Sequence, residues 1–201
     1  MAYGNGKQCL TRFTTADTNP ADRVSVWRDF MNSRILGVNI LADQSQNFNS
    51  EALLHDFGPI AITRFELMPQ VMARGLYVES ENAVCLSIVE SGKVIAKRNG
   101  SSLALHPGDA VMIPTGSSSS LHFVEPTVFW GIRIQDGLSL PDHARLQEAA
   151  AKHSHLSGPT IDVTLAYCKL MHQTQPGREQ AMGTKIREHI VDFLDGMLHA
   201  A

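Results

Sequence analysis

The order of hydrophobic and polar positions changes twice along the chain and divides it into three parts. Between about Gly37 and Ile134, short runs rich in valine, isoleucine and phenylalanine are separated by turn residues. This pattern is typical of antiparallel strands in a closed or sandwiched sheet. Helical spacing of apolar residues replaces it on both sides, so we predict a mainly β fold with α-helices at both ends.

Two turn signals mark connections in the middle part. Ser91-Gly92 joins Ala83–Glu90 to Lys93–Arg98, and Asn99-Gly100 joins the latter to Ser101–Leu105. Asn-Gly is a strong hairpin signal because both positions tolerate positive φ. We therefore predict that these three strands follow one another as a meander.

One helix is predicted before the strands. Asn19 or Thr18 can cap it, with Pro20 at its first position. Its apolar residues recur at helical spacing and are Val24, Trp27, Phe30 and Met31. We expect this face to pack on the sheet region.

Three helices are predicted after Gln135, over Asp142–His155, Ile161–His172 and Glu179–His199. The last carries two neighbouring apolar lines, which form either one wide core-facing stripe or a second face for a partner chain. The candidate dimerisation residues on these lines are Ile186, Ile190, Phe193, Leu194 and Met197.

Composition restricts the class of protein. With 201 residues, 43% of them hydrophobic, the chain can form one good-sized core, and no apolar run approaches membrane-spanning length. The N-terminus lacks a secretory signal, and Cys9, Cys85 and Cys168 lie far apart, which together indicate a reducing cytoplasm. A net charge of -3, without a lysine or arginine cluster, does not mark this chain itself as a nucleic-acid binder.

One segment has the turns of a cupin barrel. Metal-binding cupins carry the pattern G-x5-P-x-G-x2-H-x3-N, and Gly108, Pro114 and Gly116 fall in register with it. Ser119 stands in place of the histidine and Phe123 in place of the asparagine. We therefore predict a cupin-like antiparallel β-barrel of the jelly-roll type that lacks these two residues of the metal-binding pattern.

The remaining histidines do not supply a metal site. Metal cupins bind iron, manganese or zinc with two or three imidazoles and a carboxylate. The strand region offers His55, His106 and His122, and Asn82–Glu90, where the first metal motif should lie, has no histidine. The pair His153-x-His155 falls in a predicted helix, where residues two apart face away from each other. We predict no metal, no cofactor and no catalytic residue, and keep His122 as a candidate pocket residue.

Four short motifs occur in a definite order along the chain. They are Arg12-Phe13-x-Thr15, Arg23-x3-Trp27, Leu105-x2-Gly108-Asp109 and Ile186-Arg187-x2-Ile190-x3-Leu194. Together they resemble the N-terminal sensor domain of AraC/XylS-type transcription regulators, over almost the whole chain. The resemblance implies that a cupin-like barrel binds a small effector, that adjoining helices form a homodimer, and that a following helix-turn-helix domain binds DNA.

This resemblance also suggests an organisation of the chain. We expect residues 1–135 to form an N-terminal arm, a helix and the effector-binding barrel, and residues 136–201 to form a helical dimerisation region packed with it as one unit. The polar segment Met1–Thr18 is the candidate arm. The DNA-binding domain is not among these residues, so we expect either a fragment or a stand-alone sensor.

Alternate residues of barrel strands point inward and determine which ligand fits. On Ala83–Glu90, the smaller and slightly polar set includes the candidates Cys85 and Ser87. On the last strand, Trp130 is the leading candidate, and the resemblance supports an aromatic residue there against the effector. The alternative is that Trp130 only fills the core.

Two arginines are candidates for anchoring an effector. Arg64 lies in Ile60–Leu67 and Arg74 in Gln70–Val78, both predicted strands. A partly buried arginine can bind a carboxylate through two parallel hydrogen bonds. This favours an aromatic or carboxylated small molecule, although a sugar remains an alternative.

The interpretation is therefore a cytoplasmic, non-catalytic sensor that dimerises and reaches DNA only through another domain, with no membrane association. Two rival classes are a metal-dependent cupin isomerase or oxygenase and a purely structural dimerisation module.

Overall fold

Two antiparallel sheets make up most of the structure. The computed structural model describes residues 9–35, 38–42, 47–74, 83–114, 117–135, 146, 148, 150–151, 155–173 and 179–200. The strands are β1 (Cys9–Thr14), β2 (Val38–Leu41), β3 (Glu51–Asp56), β4 (Ile60–Leu67), β5 (Gln70–Arg74), β6 (Val84–Ser91), β7 (Val94–Arg98), β8 (Ser101–Leu105), β9 (Ala110–Pro114), β10 (Ser119–Phe123), β11 (Thr127–Ile134) and β12 (His155–Leu156). The long helices are α1 (Arg23–Arg34), α2 (Pro159–Gln173) and α3 (Glu179–Ala200).

The strand order is that of a jelly-roll sandwich. One sheet has seven strands in the order β1-β3-β4-β11-β6-β9-β12, and the other has five in the order β2-β5-β10-β7-β8. The predicted cupin-like, mainly β fold with flanking helices is confirmed. Within the described residues, however, no hydrogen-bonded ladder joins the two sheets, so they form an open sandwich rather than a closed barrel.

The predicted meander is wrong at its first connection. β6 lies between β11 and β9, whereas β7 lies in the other sheet between β10 and β8, so Ser91-Gly92 carries the chain across the sandwich. Asn99-Gly100 does form the β7–β8 hairpin, with φ angles of 50° and 78°. Apolar alternation looks alike in every strand of a sandwich and does not reveal which strand is the neighbour.

The seven-stranded sheet is buried on both faces. We call the layer between the two sheets and α1 the inner core, and the layer between this sheet and α2 and α3 the outer core. On β6, Leu86 and Ile88 belong to the outer core, whereas Val89 belongs to the inner core. On β11, Trp130 and Ile132 belong to the outer core.

The N-terminal helix is confirmed. The Asn19 side chain accepts a hydrogen bond from the Ala21 backbone nitrogen at 3.2 Å and caps a 3-10 turn over Pro20–Asp22 that leads into α1. All four predicted apolar residues are buried, namely Val24, Trp27, Phe30 and Met31. The Trp27 indole donates to Gln70 Oε1 at 2.9 Å and ties α1 to β5.

The segment that precedes α1 contributes to the larger sheet. Within the candidate arm Met1–Thr18, Cys9–Thr14 forms β1, the edge strand that pairs with β3. Residues 1–8 lie outside the described part of the chain. The bidentate pair between Arg12 and Glu51, at 3.0 Å for each hydrogen bond, crosses this edge.

Two of the three predicted C-terminal helices are confirmed as α2 and α3. The predicted helix Asp142–His155 lies partly outside the described residues; 146, 148, 150 and 151 are helical, but His155 begins β12 instead. β12 pairs with β9, and His155 Nε2 lies 2.9 Å from Asp109 Oδ1. A local alanine-rich pattern does not show this distant pairing, which overrides helix propensity. Among the described helices, none combines the length and apolar character needed to cross a membrane.

Two turn glycines provide a test of how closely the β6–β7 connection approaches the start of β11. Gly92 and Gly100 both have positive φ, 84° and 78°. A Cβ at Gly92 would lie 2.5 Å from Thr127 Oγ1, whereas a Cβ at Gly100 would meet nothing within 4 Å. We expect Gly100→Ala to lower the free energy of unfolding by about 1 kcal/mol, and Gly92→Ala by about 2 to 4 kcal/mol because the backbone must also shift. Urea unfolding of both variants measures this, and equal losses would contradict the close approach.

Candidate functional site

Two small cavities in the inner core share two lining residues. One of about 50 Å³ lies between the two sheets, and one of about 100 Å³ lies beside the end of α1. Cys85 on β6 and Gly131 on β11 line both. A Cβ on Gly131 would lie 3.5 Å from Phe65 Cε2 and 3.8 Å from Cys85 Sγ. The missing side chain therefore keeps this space open, and we call the two cavities together the inner cavity.

The walls of the inner cavity combine apolar and polar groups. Both sheets contribute apolar side chains, which include Val38, Phe65, Met72, Ile113, Leu121 and Phe129. Ser87 and Ser119 add hydroxyl groups, and Thr63, Asp56 and Arg133 lie at the other end. An apolar wall with a few polar groups is the usual composition of a small-molecule site.

The size of the inner cavity restricts its ligand. A water molecule occupies about 30 Å³ of liquid, and a dry cavity of about 150 Å³ accommodates benzene. Each of the two cavities by itself is smaller than that, so a molecule of about one ring has to span both of them. A larger ligand requires the two sheets to separate.

Two of the candidate pocket residues lie at this cavity. Cys85 and Ser87 both line it, and Cys85 Sγ lies 3.9 Å from Ser87 Oγ. Arg74 lies on β5, and its side chain is outside the described part of the chain. Arg133 also lines this cavity and is not among the sequence-based candidates, although its two-residue spacing from Gly131 on β11 places both residues on one face of the strand.

Trp130 and Arg64 lie on the wrong face for an inner ligand, which corrects their placement. Trp130 is 1% exposed and belongs to the outer core, where its indole nitrogen donates to Glu90 Oε2 at 2.6 Å. Arg64 pairs in register with Trp130, so it shares that face, and it binds Glu66 Oε1 at 2.6 Å. Period-two alternation identifies two faces of a strand but not which face meets the ligand.

His122 also lies outside the sandwich. It alternates with Leu121, which lines the inner cavity, and with Phe123, which is buried in the inner core. Its Nε2 lies 3.0 Å from Ser120 Oγ on the same strand and face. Partial burial and the nearby charge of Lys97 lower the pKa of His122.

A polar cluster connects α2 to the outer face of the seven-stranded sheet. Glu90 on β6 accepts from the Trp130 indole and from Lys169 Nζ on α2 at 2.8 Å, and Arg64 Nε lies 4.0 Å away. Although burial acts to raise the pKa of Glu90, the hydrogen bonds from Lys169 and Trp130 lower it overall. Glu90 is therefore held as a carboxylate at the contact between helix and sheet.

Two histidines lie in the same contact. His55 on β3 and His172 on α2 have ring centroids 4.3 Å apart, and the Trp130 ring lies 4.6 Å from His172. The His172 Nε2 donates to the Leu53 carbonyl oxygen at 3.2 Å. Burial lowers the pKa of both imidazoles, and that of His172 falls to about 4 with a further contribution from His55. Both are neutral near pH 7.

The side chains at the metal-motif positions of this chain do not form the ligand set that binds a metal ion in cupins. Phe123, at the asparagine position, is buried in the inner core, and Ser119, at the histidine position, offers one hydroxyl to the inner cavity. Over the part of the chain that the structure describes, no three His, Cys, Asp or Glu side chains are grouped so that they could bind a metal ion. His155 lies on β12 rather than on a helix, and His153 is outside the described residues.

The candidate dimerisation residues are largely inside this chain's own core. Four of them are buried in the outer core, namely Ile186, Ile190, Leu194 and Met197. Phe193 is half-buried, and its ring lies 5.4 Å from that of Tyr167 on α2. The two apolar lines of α3 therefore form one wide stripe that faces the core of the same chain. Homodimerisation stays a prediction, and residues other than these four buried ones would have to form its interface.

The fold has known counterparts among solved structures. The AraC-like transcriptional activator CuxR is similar to this chain, with a TM-score of 0.79 and 18% sequence identity over 95% of this chain and 71% of that chain. Partial matches include the Cupin_2 domain of an XRE-family transcriptional regulator from Enterobacter cloacae, with a TM-score of 0.34 and 15% identity over 38% of this chain and 81% of that chain. Another is a cupin superfamily protein from Desulfitobacterium hafniense, with a TM-score of 0.36 and 18% identity over 43% and 76%.

No family model and no curated protein matches the sequence. At this identity, the similarity to CuxR defines the fold of this chain, a cupin-like sandwich with an N-terminal helix and C-terminal helices.

The buried His172 predicts a pH-dependent stability. A histidine in the unfolded chain has a pKa of about 6.5, so between about pH 6.5 and 4 the unfolded chain binds a proton that folded His172 does not. The free energy of unfolding should therefore fall as pH falls through this window. We expect His172→Gln to reduce that dependence, as measured by urea unfolding at several pH values. His106→Gln, which removes a 61% exposed imidazole, is the control that should keep it. An unchanged dependence in His172→Gln would contradict the assignment.

Proposed function

We propose that this chain is the effector-sensing domain of an AraC-type transcription regulator, and that a compact aromatic or carboxylated molecule binds in the inner cavity. The domain is cytoplasmic and non-catalytic, forms a homodimer, and reaches DNA through a helix-turn-helix domain outside these 201 residues. The fold it shares with CuxR supports the regulatory class. The donor set around Ser119 supports binding rather than metal-assisted chemistry.

The observation that carries this proposal is the double role of β6 and β11. On β6, Cys85 and Ser87 line the inner cavity, while Leu86 and Ile88 contact the outer core. On β11, Gly131 faces the cavity, and its two neighbours, Trp130 and Ile132, belong to the outer core beneath α2 and α3. A ligand that alters the spacing of the sheets therefore acts directly on the surface that holds the C-terminal helices.

Regulation also requires that the ligand binds one arrangement better than another. The Glu90 cluster and the histidine pair attach α2 to the same sheet through specific hydrogen bonds. Such contacts hold a discrete position of the helix, which a ligand can favour or disfavour.

Filling the inner cavity tests the proposal. With benzoate and phenol as probes, we expect a rise in the melting temperature of the natural protein, since a ligand that binds only the folded state stabilises it by about 2.7 kcal/mol at 100 times its Kd. Gly131→Ala should fold normally, because its Cβ would make only ordinary van der Waals contacts. It should weaken the response to the probes, because that Cβ takes up part of the cavity. Gly131→Val should abolish it, because the larger side chain occupies the space beside Phe65 and Cys85.

The control is His122→Ala, which removes a candidate side chain that lies outside the sandwich. This variant should respond to the probes like the natural protein. An equal response in Gly131→Val would show that the probe binds elsewhere. Purified protein with near-stoichiometric iron, manganese or zinc would instead favour a metal-dependent enzyme.

A further inference from the structure

The five-stranded sheet carries an open cleft next to the β7–β8 turn. The cleft has a volume of about 430 Å³, which falls in the range of about 300 to 1,000 Å³ found for small-molecule sites. Strands β5, β7, β8 and β10 contribute to it, together with the turn Asn99-Gly100. We call it the serine cleft because the residues that line it include Ser101, Ser102, Ser118, Ser119 and Ser120.

The strand register places a lysine between two of these serines. Lys97 on β7 pairs directly with Ser102 on β8 and with Ser120 on β10. Directly opposed residues share one face of a sheet, with Cβ atoms about 4.5 to 5.5 Å apart. Beyond Ser120 the row continues to Ala73 on β5, whose small side chain leaves space beside the hydroxyl group. One ammonium group and two hydroxyl groups therefore border the same space.

This row lies on the solvent side of the sheet. Ala96, the neighbour of Lys97 on β7, is 1% exposed and belongs to the inner core. Successive residues of a strand point to opposite faces, so Lys97 points away from the core. Lys97, Ser102 and Ser118 are exposed. A ligand can therefore reach these groups from solution without separating the two sheets.

The positive charge of Lys97 is available to a ligand. Lys97 forms no ion pair with any residue that the structure describes, whereas Lys169 and Lys185 each bind a glutamate, at 2.8 and 2.6 Å. Its charge adds to the effect of burial in lowering the pKa of His122 on the neighbouring strand. An unpaired ammonium group between hydroxyl groups suits an anion.

A second cation lies at the end of the serine cleft. Arg98 donates to the carbonyl oxygens of Ala150 at 2.5 Å and Ala151 at 3.2 Å. Carbonyl oxygens have no formal charge, so these bonds do not cancel the positive charge. Asn99 adds a carboxamide, whose nitrogen can donate two hydrogen bonds. Among the described residues that line the cleft there is no aspartate or glutamate.

Another open cleft of the molecule has the opposite charge. It lies beside β1 and has a volume of about 680 Å³. Its described lining contains Asp17, Glu51 and Glu66, with Arg12 as the one cation. The whole chain also has a net charge of -3. The positive charge of the serine cleft is therefore a local property, and a cleft lined by one sign of charge concentrates ligands of the other sign.

We propose that the serine cleft binds a phosphate group, with the Lys97 ammonium and the hydroxyls of Ser102 and Ser120 as its donors. A phosphate group carries up to two negative charges, and its oxygens are strong acceptors. Several converging donors can therefore be used at once, and serine hydroxyls rotate to suit an acceptor. The site is separate from the inner cavity and goes beyond the effector binding proposed above.

His122 leaves the Ser120 hydroxyl free to donate to this phosphate. Its Nε2 lies 3.0 Å from Ser120 Oγ, and its lowered pKa makes the imidazole neutral near pH 7. In the tautomer that carries its proton on Nε2, His122 donates to Ser120 Oγ. The hydroxyl hydrogen of Ser120 then points to the phosphate instead of to the imidazole.

Titration of the full chain with inorganic phosphate tests the proposal, followed by phosphorus NMR at neutral pH and constant ionic strength. We expect saturable, millimolar binding, because the cleft is open and water screens its charges. Lys97→Gln should weaken binding by about tenfold or more, since it removes a charge-assisted hydrogen bond. Ser102→Ala and Ser120→Ala should each weaken it by about threefold, because each removes one neutral donor.

Lys93→Gln is the matched control. Lys93 is also an exposed lysine, but it lies at the β6–β7 connection and does not line the serine cleft. This variant should bind phosphate like the natural protein, and circular dichroism checks that every variant is folded. Unchanged binding in Lys97→Gln would overturn the proposal, as would an equal loss in Lys93→Gln, which would indicate a general effect of charge.

Further ligands identify the source of the phosphate group. Glycerol phosphate that binds more tightly than inorganic phosphate assigns the cleft to small phosphate esters, whereas preference for inorganic phosphate assigns it to the free ion. Acetate should bind more weakly than either, because it has one charge and two oxygens. Acetate that binds as tightly as phosphate would overturn the assignment to phosphate.

The outcome is independent of effector binding in the inner cavity. Lys97 is not among the residues that line that cavity. Lys97→Gln should therefore keep the response of the melting temperature to phenol, which carries no charge. Loss of phosphate binding with an unchanged phenol response would support two separate sites, and loss of both responses would overturn the separation.

Discussion

Burial of both faces of the seven-stranded sheet is the constraint on which the rest of the structure depends. Its inner residues pack against the smaller sheet, and its outer residues need a cover that the smaller sheet cannot provide. The C-terminal helices provide this cover with Ile161, Cys168 and Ile190. Burial of apolar surface is the main favourable term in folding, so α2 and α3 are integral to the stability of the sandwich.

The same constraint connects the candidate site with the helices. Because neighbouring residues of a strand point to opposite faces, a change around Cys85 or Gly131 is only one residue away from Leu86 or Trp130. The contacts of Glu90 with Trp130 and Lys169 fix the orientation of α2 on the sheet, whereas the buried apolar residues alone would be less directional. Close-packed layers transmit such changes because they contain little free space.

The predictions made from the sequence were right where the signal was local. The cap at Asn19 and the spacing of Trp27 identified α1, and Asn99-Gly100 identified the one hairpin turn of the two proposed. The predictions failed where the outcome depended on which element lies opposite. Ser91-Gly92 crosses between sheets, and Trp130 and Arg64 face the helices, although each strand was recognised.

The sequence by itself determined the mainly β architecture with helices at both ends, and the presence of Ser119 and Phe123 where the metal-binding pattern has histidine and asparagine. Only the tertiary structure decided which face of each strand meets the cavity, that Ile186 and Ile190 are used within the chain, and that Lys97 lies between two serines of neighbouring strands. The physical reason is that period and composition define the two faces of an element. The partner that covers each face comes from contacts between residues far apart in sequence.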